Sequence, residues 1–335
     1  MQNNILLSII IPMFNSEATI IKTLDSINKS IYQRFEVILV DDFSNDKTIE
    51  TINSFKDKIN YDLKIINLNK NCGPGAARNK GAEEACGEVL IFIDSDVEIF
   101  PDTLTKIIDT FKKNPQISAI VGDYCKETGP TNFCTVYKNL FHTYFHGRAK
   151  TLTTIFFTGC GAIFRSVFLD VKGFDEHDIL TVEDICLGYK LHNNNYITML
   201  NPDIQVKHNK YFSFKGLLIT DIFIRGIPWM KLIIKNKTYN NDLNTRTQDI
   251  INVVILYFEI FLLLYLILFN PVLIGPLILI YVLFFFLYNH SFFKYLQKNT
   301  DLVFSIKSQF MLMLYYLYCG FCFIIAIISV KFFGK

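Results

Sequence analysis

The chain has 335 residues, about two domains' length on a guide of roughly 150 residues per domain. A net charge of +2 with 51% hydrophobic residues excludes an acidic disordered chain and a basic nucleic-acid-binding arm, so no nucleic acid is expected as a partner. With 16 Gly and 9 Pro, collagen-like and low-complexity classes are excluded as well, and the 32 Phe and 17 Tyr crowd toward the C-terminal end.

In chain order, residues 7–12 form a β-rich apolar run, 16–30 have helical spacing, and 35–41 are again rich in Val, Ile and Leu. The alternation continues with a helix at 47–57, a strand at 63–67, a helix at 75–85, a strand at 89–94, a helix at 101–114 and a strand at 117–122. Continuously apolar strands separated by helices predict an α/β domain whose mostly parallel sheet is covered on both faces. Such open sheets bind ligands at the carboxyl ends of their strands.

At those ends stand Pro12 to Asn15, then Asp41-Asp42-Phe43-Ser44-Asn45-Asp46, then Asp94-Ser95-Asp96. Carboxylates gathered on one rim repel unless water or a cation stands between them, and hard oxygen ligands favour Mg²⁺ or Mn²⁺. Asp96 is expected to bind the metal directly, with Asp94 at a ribose or a metal-bound water; whether both reach one ion depends on a turn at Ser95. Ser44 and Asp46 are expected to cap the following helix.

Three later stretches, 250–269, 272–288 and 310–330, are almost wholly apolar, and about 20 such residues cross a bilayer core. They are read as three transmembrane helices, with a buried helical hairpin as the alternative. Asn270-Pro271 and Gly275-Pro276 mark a tight reversal. The first apolar run is short and no basic region precedes it, so no secretory signal is read. The polar segment is therefore expected on the cytosolic side of the cell membrane.

Arg225, Lys231, Lys235, Lys237 and Arg246, and then Lys294, Lys298 and Lys307, belong on the cytosolic side by the positive-inside rule. Lys331 and Lys335 then fall on the far side, which leaves a four-crossing or re-entrant arrangement open. Residues 212–246, apolar yet basic and carrying Pro228 and Trp229, read as an interfacial segment against membrane lipid. The expected division is thus 1–211, 212–246 and 247–335.

Glu259, inside the first span, is expected to pair with a neighbouring helix. Six cysteines lie in the part expected in the cytosol, where thiols stay reduced, and none is assigned a bridge. Cys319-x-x-Cys322 lies within the third span and reads as small residues facing a helix neighbour. His142 and His146 stand four apart on one helix face; with no carboxylate at useful spacing, they read as acceptor-side or packing residues.

Seven stretches together resemble the family 2 nucleotide-sugar-dependent glycosyltransferases of GT-A fold. Residues 8–17 resemble the family's opening strand and 36–48 its second. Residues 71–79 and 87–96 resemble the approach to its metal site. Thr158-Gly159-Cys160-Gly161-Ala162, Gly173-Phe174-Asp175-Glu176 and Glu183-Asp184 match its later motifs, in the expected order across roughly residues 5–210.

By this resemblance Pro12, Asn15 and Glu17 line the nucleotide pocket, and Asp42, with Asp41 beside it, accepts a hydrogen bond from the base. Arg78 helps to hold the nucleotide, while Asp94, Ser95 and Asp96 form the metal-binding turn and His208 supplies a second metal ligand. Asp184 is the general base beside Glu183, and Gly159, Cys160 and Gly161 lie on the acceptor side. Where membrane-spanning polymerases of the family carry Q-x-x-R-W, this chain reads Phe223-Ile224-Arg225-Gly226-Ile227-Pro228-Trp229, which argues against processive polymerisation.

The resemblance implies a membrane-anchored, inverting, metal-dependent transferase that moves a sugar from a nucleotide donor to a lipid-linked or membrane-proximal glycan, with oligomers open. A processive polysaccharide synthase and a non-catalytic nucleotide-sugar-binding scaffold are the alternatives.

Overall fold

A computed structural model describes residues 5–149, 151–175, 181–236 and 246–333; Glu176, Lys237 and Lys335 lie outside the described residues. The chain divides into two compact units, Met1–Phe212 and Ser213–Lys335.

In chain order the first unit contains β1 (Leu7–Met13), α1 (Ile20–Asn28), β2 (Phe35–Asp41), α2 (Thr48–Phe55), β3 (Asp62–Asn67), α3 (Pro74–Glu83), β4 (Val89–Phe92) and β5 (Val97–Ile99). Then come α4 (Thr103–Lys113), β6 (Ala119–Thr128), α5 (Phe133–His146), β7 (Leu152–Thr153), β8 (Gly161–Phe164), α6 (Arg165–Asp170), α7 (Glu183–Asn193) and β9 (Thr198–His208). One sheet runs β3-β2-β1-β4-β8-β6-β9-β5, with β7 on β9.

The parallel pairing expected from the sequence holds across β3, β2, β1 and β4. Beyond β4 the sheet is mixed: β8 is antiparallel to both neighbours, β6 is parallel to β9, and β5 is antiparallel to β9. Parallel neighbours need a long crossover. β4 is followed instead by a tight turn, the Val97 N–H donating to the Asp94 carbonyl at 3.1 Å, which sends β5 to the far edge.

Alternate residues of the inner strands enter different cores. Ile9, Ile11, Val37 and Leu39 pack with Leu24 and Leu104 on one face; Ile10, Ile38, Leu90 and Phe92 pack with Ala77, Phe156 and Leu187 on the other. With both faces covered these strands are apolar at most positions, and each fully buried Leu, Ile or Phe contributes about 1.5–3 kcal/mol. β3, at the edge, is half-exposed and alternates.

The second unit begins with α8 (Phe214–Ile219), which runs through a π-helical stretch, Thr220–Gly226, into α9 (Ile227–Asn236). α10 (Thr247–Phe269), α11 (Ile274–Tyr288), α12 (His290–Asn299) and α13 (Leu302–Phe333) follow. Three stretches, Thr247–Phe269, Pro271–Tyr288 and Leu302–Phe332, are helical, long and apolar enough to cross a membrane. The third starts before the apolar run at 310–330 and takes Lys307 into the helix.

Of the segment read as interfacial, residues 214–236 are helical and pack against the middle of α13: the Tyr318 hydroxyl donates to Asp221 at 2.7 Å, and Cys322 lies against Gly226. Cys322 thus faces a helix neighbour, as its small size suggested. Glu259 is buried, but its Oε1 has no hydrogen-bond partner among the described residues, so that oxygen does not form the expected inter-helix pair. Polar pairing between helices is made instead by Asn252 with Asn289 at 3.0 Å and by Tyr316 with Asp249 at 2.9 Å.

Candidate active site

β1 and β2 run side by side, Pro12 opposite Val40, so their carboxyl-end loops emerge together and knit. The Asn15 N–H donates to the Ser44 hydroxyl and the Asn45 N–H to the Asn15 side chain, both at 2.9 Å. The Glu17 N–H donates to Asp46 at 3.1 Å and the Lys47 N–H to Glu17 at 2.8 Å. Asn15 and Phe43 both adopt positive φ, 52° and 64°. Asn tolerates this region, whereas at Phe43 it costs of order 1–3 kcal/mol. Phe14 and Phe43 stand exposed beside this rim.

The paired aspartates divide their work. Asp42 accepts the Cys72 and Gly73 N–H groups at 2.7 and 2.8 Å, one on each carboxylate oxygen, and so holds the turn before α3. Burial nevertheless pushes the Asp42 carboxyl above its ordinary range. Asp41 accepts the Ser44 N–H at 3.1 Å through Oδ2, while its Oδ1 is buried with no hydrogen-bond partner among the described residues. Gly73, at φ 86°, turns the chain so that Pro74 starts α3, which presents Arg78.

Arg78 is 3% exposed, and both terminal nitrogens are engaged: Nη2 donates to Asp94 at 2.7 Å and Nη1 to Glu183 at 2.8 Å. Burial opposes its charge, but Asp94 and Glu183 outweigh it and raise the guanidinium's pKa. The fork expected at the nucleotide thus clamps the acidic turn after β4 to the start of α7.

The chain does turn at Ser95. Its hydroxyl lies 2.8 Å from that of Ser16, and its carbonyl accepts from Thr23 at 3.0 Å. The turn aims Asp94 and Asp96 at different partners. β5 pairs with β9 so that Val97 faces His208, which brings His208 Nε2 to 3.6 Å from Asp96 Oδ2. Burial alone would raise the Asp96 carboxyl, but His208 and then Lys210 hold it below its ordinary range. The Tyr124 ring stacks on His208, centroids 4.4 Å apart and planes within 4°.

Glu183 and Asp184 open α7 and are 5% and 2% exposed. The Asp184 Oδ1 accepts the Ile185 N–H at 2.9 Å. Gly161 stands between Phe92 and Val121, and Gly159 lies where a methyl would come within 2.6 Å of the Tyr124 hydroxyl. Cys160 between them is 1% exposed and packs in the core, its thiol pushed up to about 12 by burial.

Two participants escaped the sequence reading. Tyr124 had no signal beyond its strand. His142 and His146 do have a carboxylate partner, Asp123, supplied by β6 rather than by their own helix. Burial, with His146 beside it, pushes the His142 ring down to about 3, leaving it neutral at physiological pH.

Residues 8–171 match the family model Glycosyl transferase family 2. The poly-beta-1,6-N-acetyl-D-glucosamine synthase of Staphylococcus epidermidis is 29% identical over 201 residues, 58% of this chain and 48% of that protein. The poly(ribitol-phosphate) beta-N-acetylglucosaminyltransferase TarS of Staphylococcus aureus is 40% identical over 100 residues, 29% of this chain and 17% of that one. The chain spans about half the length of the curated synthase it matches and less of TarS.

Among solved structures, the mannosyltransferase PcManGT of Pyrobaculum calidifontis with GDP-Man and Mn²⁺ superposes at a TM-score of 0.59 and 17% identity, covering 99% of this chain and 88% of that one. TarS 1–349 with UDP-GlcNAc gives 0.54 and 19%, covering 98% and 92%. These likenesses establish the fold as GT-A, the sheet order above being its mixed arrangement.

Proposed function

We propose, from the premise that the chain belongs to glycosyl transferase family 2 through residues 8–171, that it is an inverting, metal-dependent enzyme transferring a sugar from a nucleotide-sugar donor to a lipid-linked or membrane-proximal glycan. The observation that carries this reading is the meeting, on one sheet rim, of the acidic turn at 94–96 with His208 and, through Arg78, with the carboxylates that open α7.

Pro12, Asn15 and Glu17 line the nucleotide side in this reading. Asp41 Oδ1, buried and unpartnered, is the acceptor suited to an N–H of the base; Asp42 shapes the adjoining turn. Asp96 and His208 offer oxygen and imidazole nitrogen, a donor set that fits Mn²⁺ or Mg²⁺ and stands close enough to share one ion. A cation held there would offset negative charge on the departing diphosphate.

Asp184 takes the proton from the acceptor hydroxyl as its oxygen attacks the anomeric carbon, on the face opposite the leaving group. One carbon–oxygen bond forms while the bond to the nucleoside diphosphate breaks, and no covalent enzyme intermediate is needed. Glu183, held by Arg78, fixes the start of α7 and so the place of Asp184. Gly159 and Gly161 belong to the acceptor side in this reading, where the lack of a side chain lets Tyr124, Phe156 and Phe157 pack closely against the backbone.

The three apolar helices serve as a multi-pass anchor in the cell membrane with the catalytic unit in the cytosol, where a lipid-linked acceptor is concentrated. Similarity to a poly-N-acetylglucosamine synthase favours, as a second reading, repeated addition to one growing chain. The altered segment at 223–229 weighs against it.

Asp184→Asn, assayed for transfer and for donor binding, tests the central role. Transfer should be lost with donor binding kept; transfer within about tenfold of the parent, some 1.4 kcal/mol of barrier, would remove Asp184 as the base. A calorimetric screen of UDP-, GDP- and dTDP-sugars with and without Mn²⁺ identifies the donor.

A further inference from the structure

Asp123, His142 and His146 form a cluster in which one ligand atom of each lies within 4.8 Å of the others. His142 Nδ1 and His146 Nδ1 each stand 3.3 Å from the same oxygen, Asp123 Oδ1. The cluster is interior: the side chains of Asp123 and His146 are 5% and 9% exposed, that of His142 22%.

Close as they are to Asp123, neither ring nitrogen is aligned for a geometrically good hydrogen bond to it, and both are buried without another hydrogen-bond partner among the described residues. That Asp123 oxygen already accepts the Tyr124 N–H at 2.8 Å. The two imidazoles lie with centroids 3.8 Å apart. Two buried, unsatisfied nitrogens beside a carboxylate cost of order 1–3 kcal/mol each.

A cation removes that cost. A tetrahedral ion with bonds of about 2.0–2.2 Å needs ligand atoms about 3.3–3.6 Å apart, and both nitrogen–oxygen separations here are 3.3 Å. Two histidines four apart on a helix present their rings on one face, a spacing suited to zinc when a third ligand comes from elsewhere. Here α5 supplies the pair and β6 the carboxylate.

We propose that Asp123, His142 and His146 bind a divalent transition cation of the zinc class, at a site separate from Asp96 and His208. Two imidazoles and one carboxylate suit a borderline cation better than Mg²⁺. Tyr124 contacts both centres, stacking on His208 and meeting His142 at 4.8 Å, so the ion fastens α5 to β6 beside the donor-metal ligands. Three protein ligands leave a fourth position for water.

The test uses the full chain in detergent, stripped with a chelator and titrated with Co²⁺ and then Zn²⁺. Asp96→Asn is made first, to weaken the other site. This variant should bind about one Co²⁺ with the visible absorption of a tetrahedral ion, and X-ray absorption should count two imidazoles. Adding His142→Gln and His146→Gln should weaken binding at least 100-fold. No tight Co²⁺ in Asp96→Asn, one imidazole or none in the absorption spectrum, or binding unchanged in the histidine variants would each overturn the proposal. The imidazole count decides the matter even if the histidine variants do not fold.

Discussion

Arg78 and Glu183, 105 residues apart in the chain, meet at 2.8 Å inside the first unit, and the other arm of the same guanidinium holds Asp94. One buried cation thus joins α3, the turn after β4 and the first residue of α7. Removing it strands two carboxylates, one of them 7% exposed. Breaking a buried pair in this way costs roughly 3–5 kcal/mol.

Arg78→Met is therefore expected to lower the melting midpoint of the detergent-purified protein sharply and to abolish transfer. Adding Glu183→Gln should recover part of the stability, because one stranded charge is gone. A double variant no more stable than Arg78→Met would mean that the pair does not couple.

Much of the first half of the fold was legible, for a physical reason: β1, β2 and β4 are buried on both faces and so read as mainly apolar runs, broken only by Ser8, Glu36 and the terminal Asp41. β8 escaped, being four residues long and glycine-led, and α5 escaped because it is aromatic on most sides. In the site, what lies within one turn was visible: Asp41-Asp42, Asp94 to Asp96, Glu183-Asp184. What depends on partners far apart in sequence was not. The engagement of Arg78 by two carboxylates and the approach of Asp123 to His142 and His146 follow from strand order and helix packing, which no local pattern encodes.

α7 sits close against the segment before β8. A methyl on Gly188 would come 2.5 Å from both the Phe156 nitrogen and the Thr154 carbonyl oxygen, backbone atoms that cannot swing aside. Alanine gains up to about 1 kcal/mol of helix propensity over glycine, but the clash should win and push the helix outward. Because Asp184 rides on this helix, and a misplacement of about 1 Å can cost 100-fold in rate, Gly188→Ala should lower kcat far more than it weakens donor binding. Equal effects on both would disconnect the helix from the chemistry.

Asp96 and His208 should act together if they share a cation. Asp96→Ala and His208→Ala are each expected to weaken donor binding when Mn²⁺ is present and to leave the small metal-free affinity unchanged. Calorimetry with and without Mn²⁺ separates the two terms. A donor affinity equally dependent on Mn²⁺ in both variants would place the ion elsewhere.

Asp46 gives a prediction in pH. Its carboxylate accepts the Thr48 N–H at 3.0 Å, the Thr48 hydroxyl at 2.5 Å and the Glu17 N–H at 3.1 Å, tying the start of α2 to the loop after β1. Burial alone would raise its pKa, but the Thr48 and Glu17 hydrogen bonds outweigh that and hold it below 3.8. A carboxyl depressed on folding stabilises the native state above its unfolded pKa, and that contribution is lost as pH falls through the folded value. At neutral pH Asp46→Asn should be about 1 kcal/mol less stable, roughly the difference between hydrogen bonds to a charged and to a neutral group. As pH drops below about 3.8 the parent loses this advantage, so the melting midpoints of the two proteins should converge. A gap that stays constant down to the acid limit would mean that the charge on Asp46 contributes nothing and that only its shape matters.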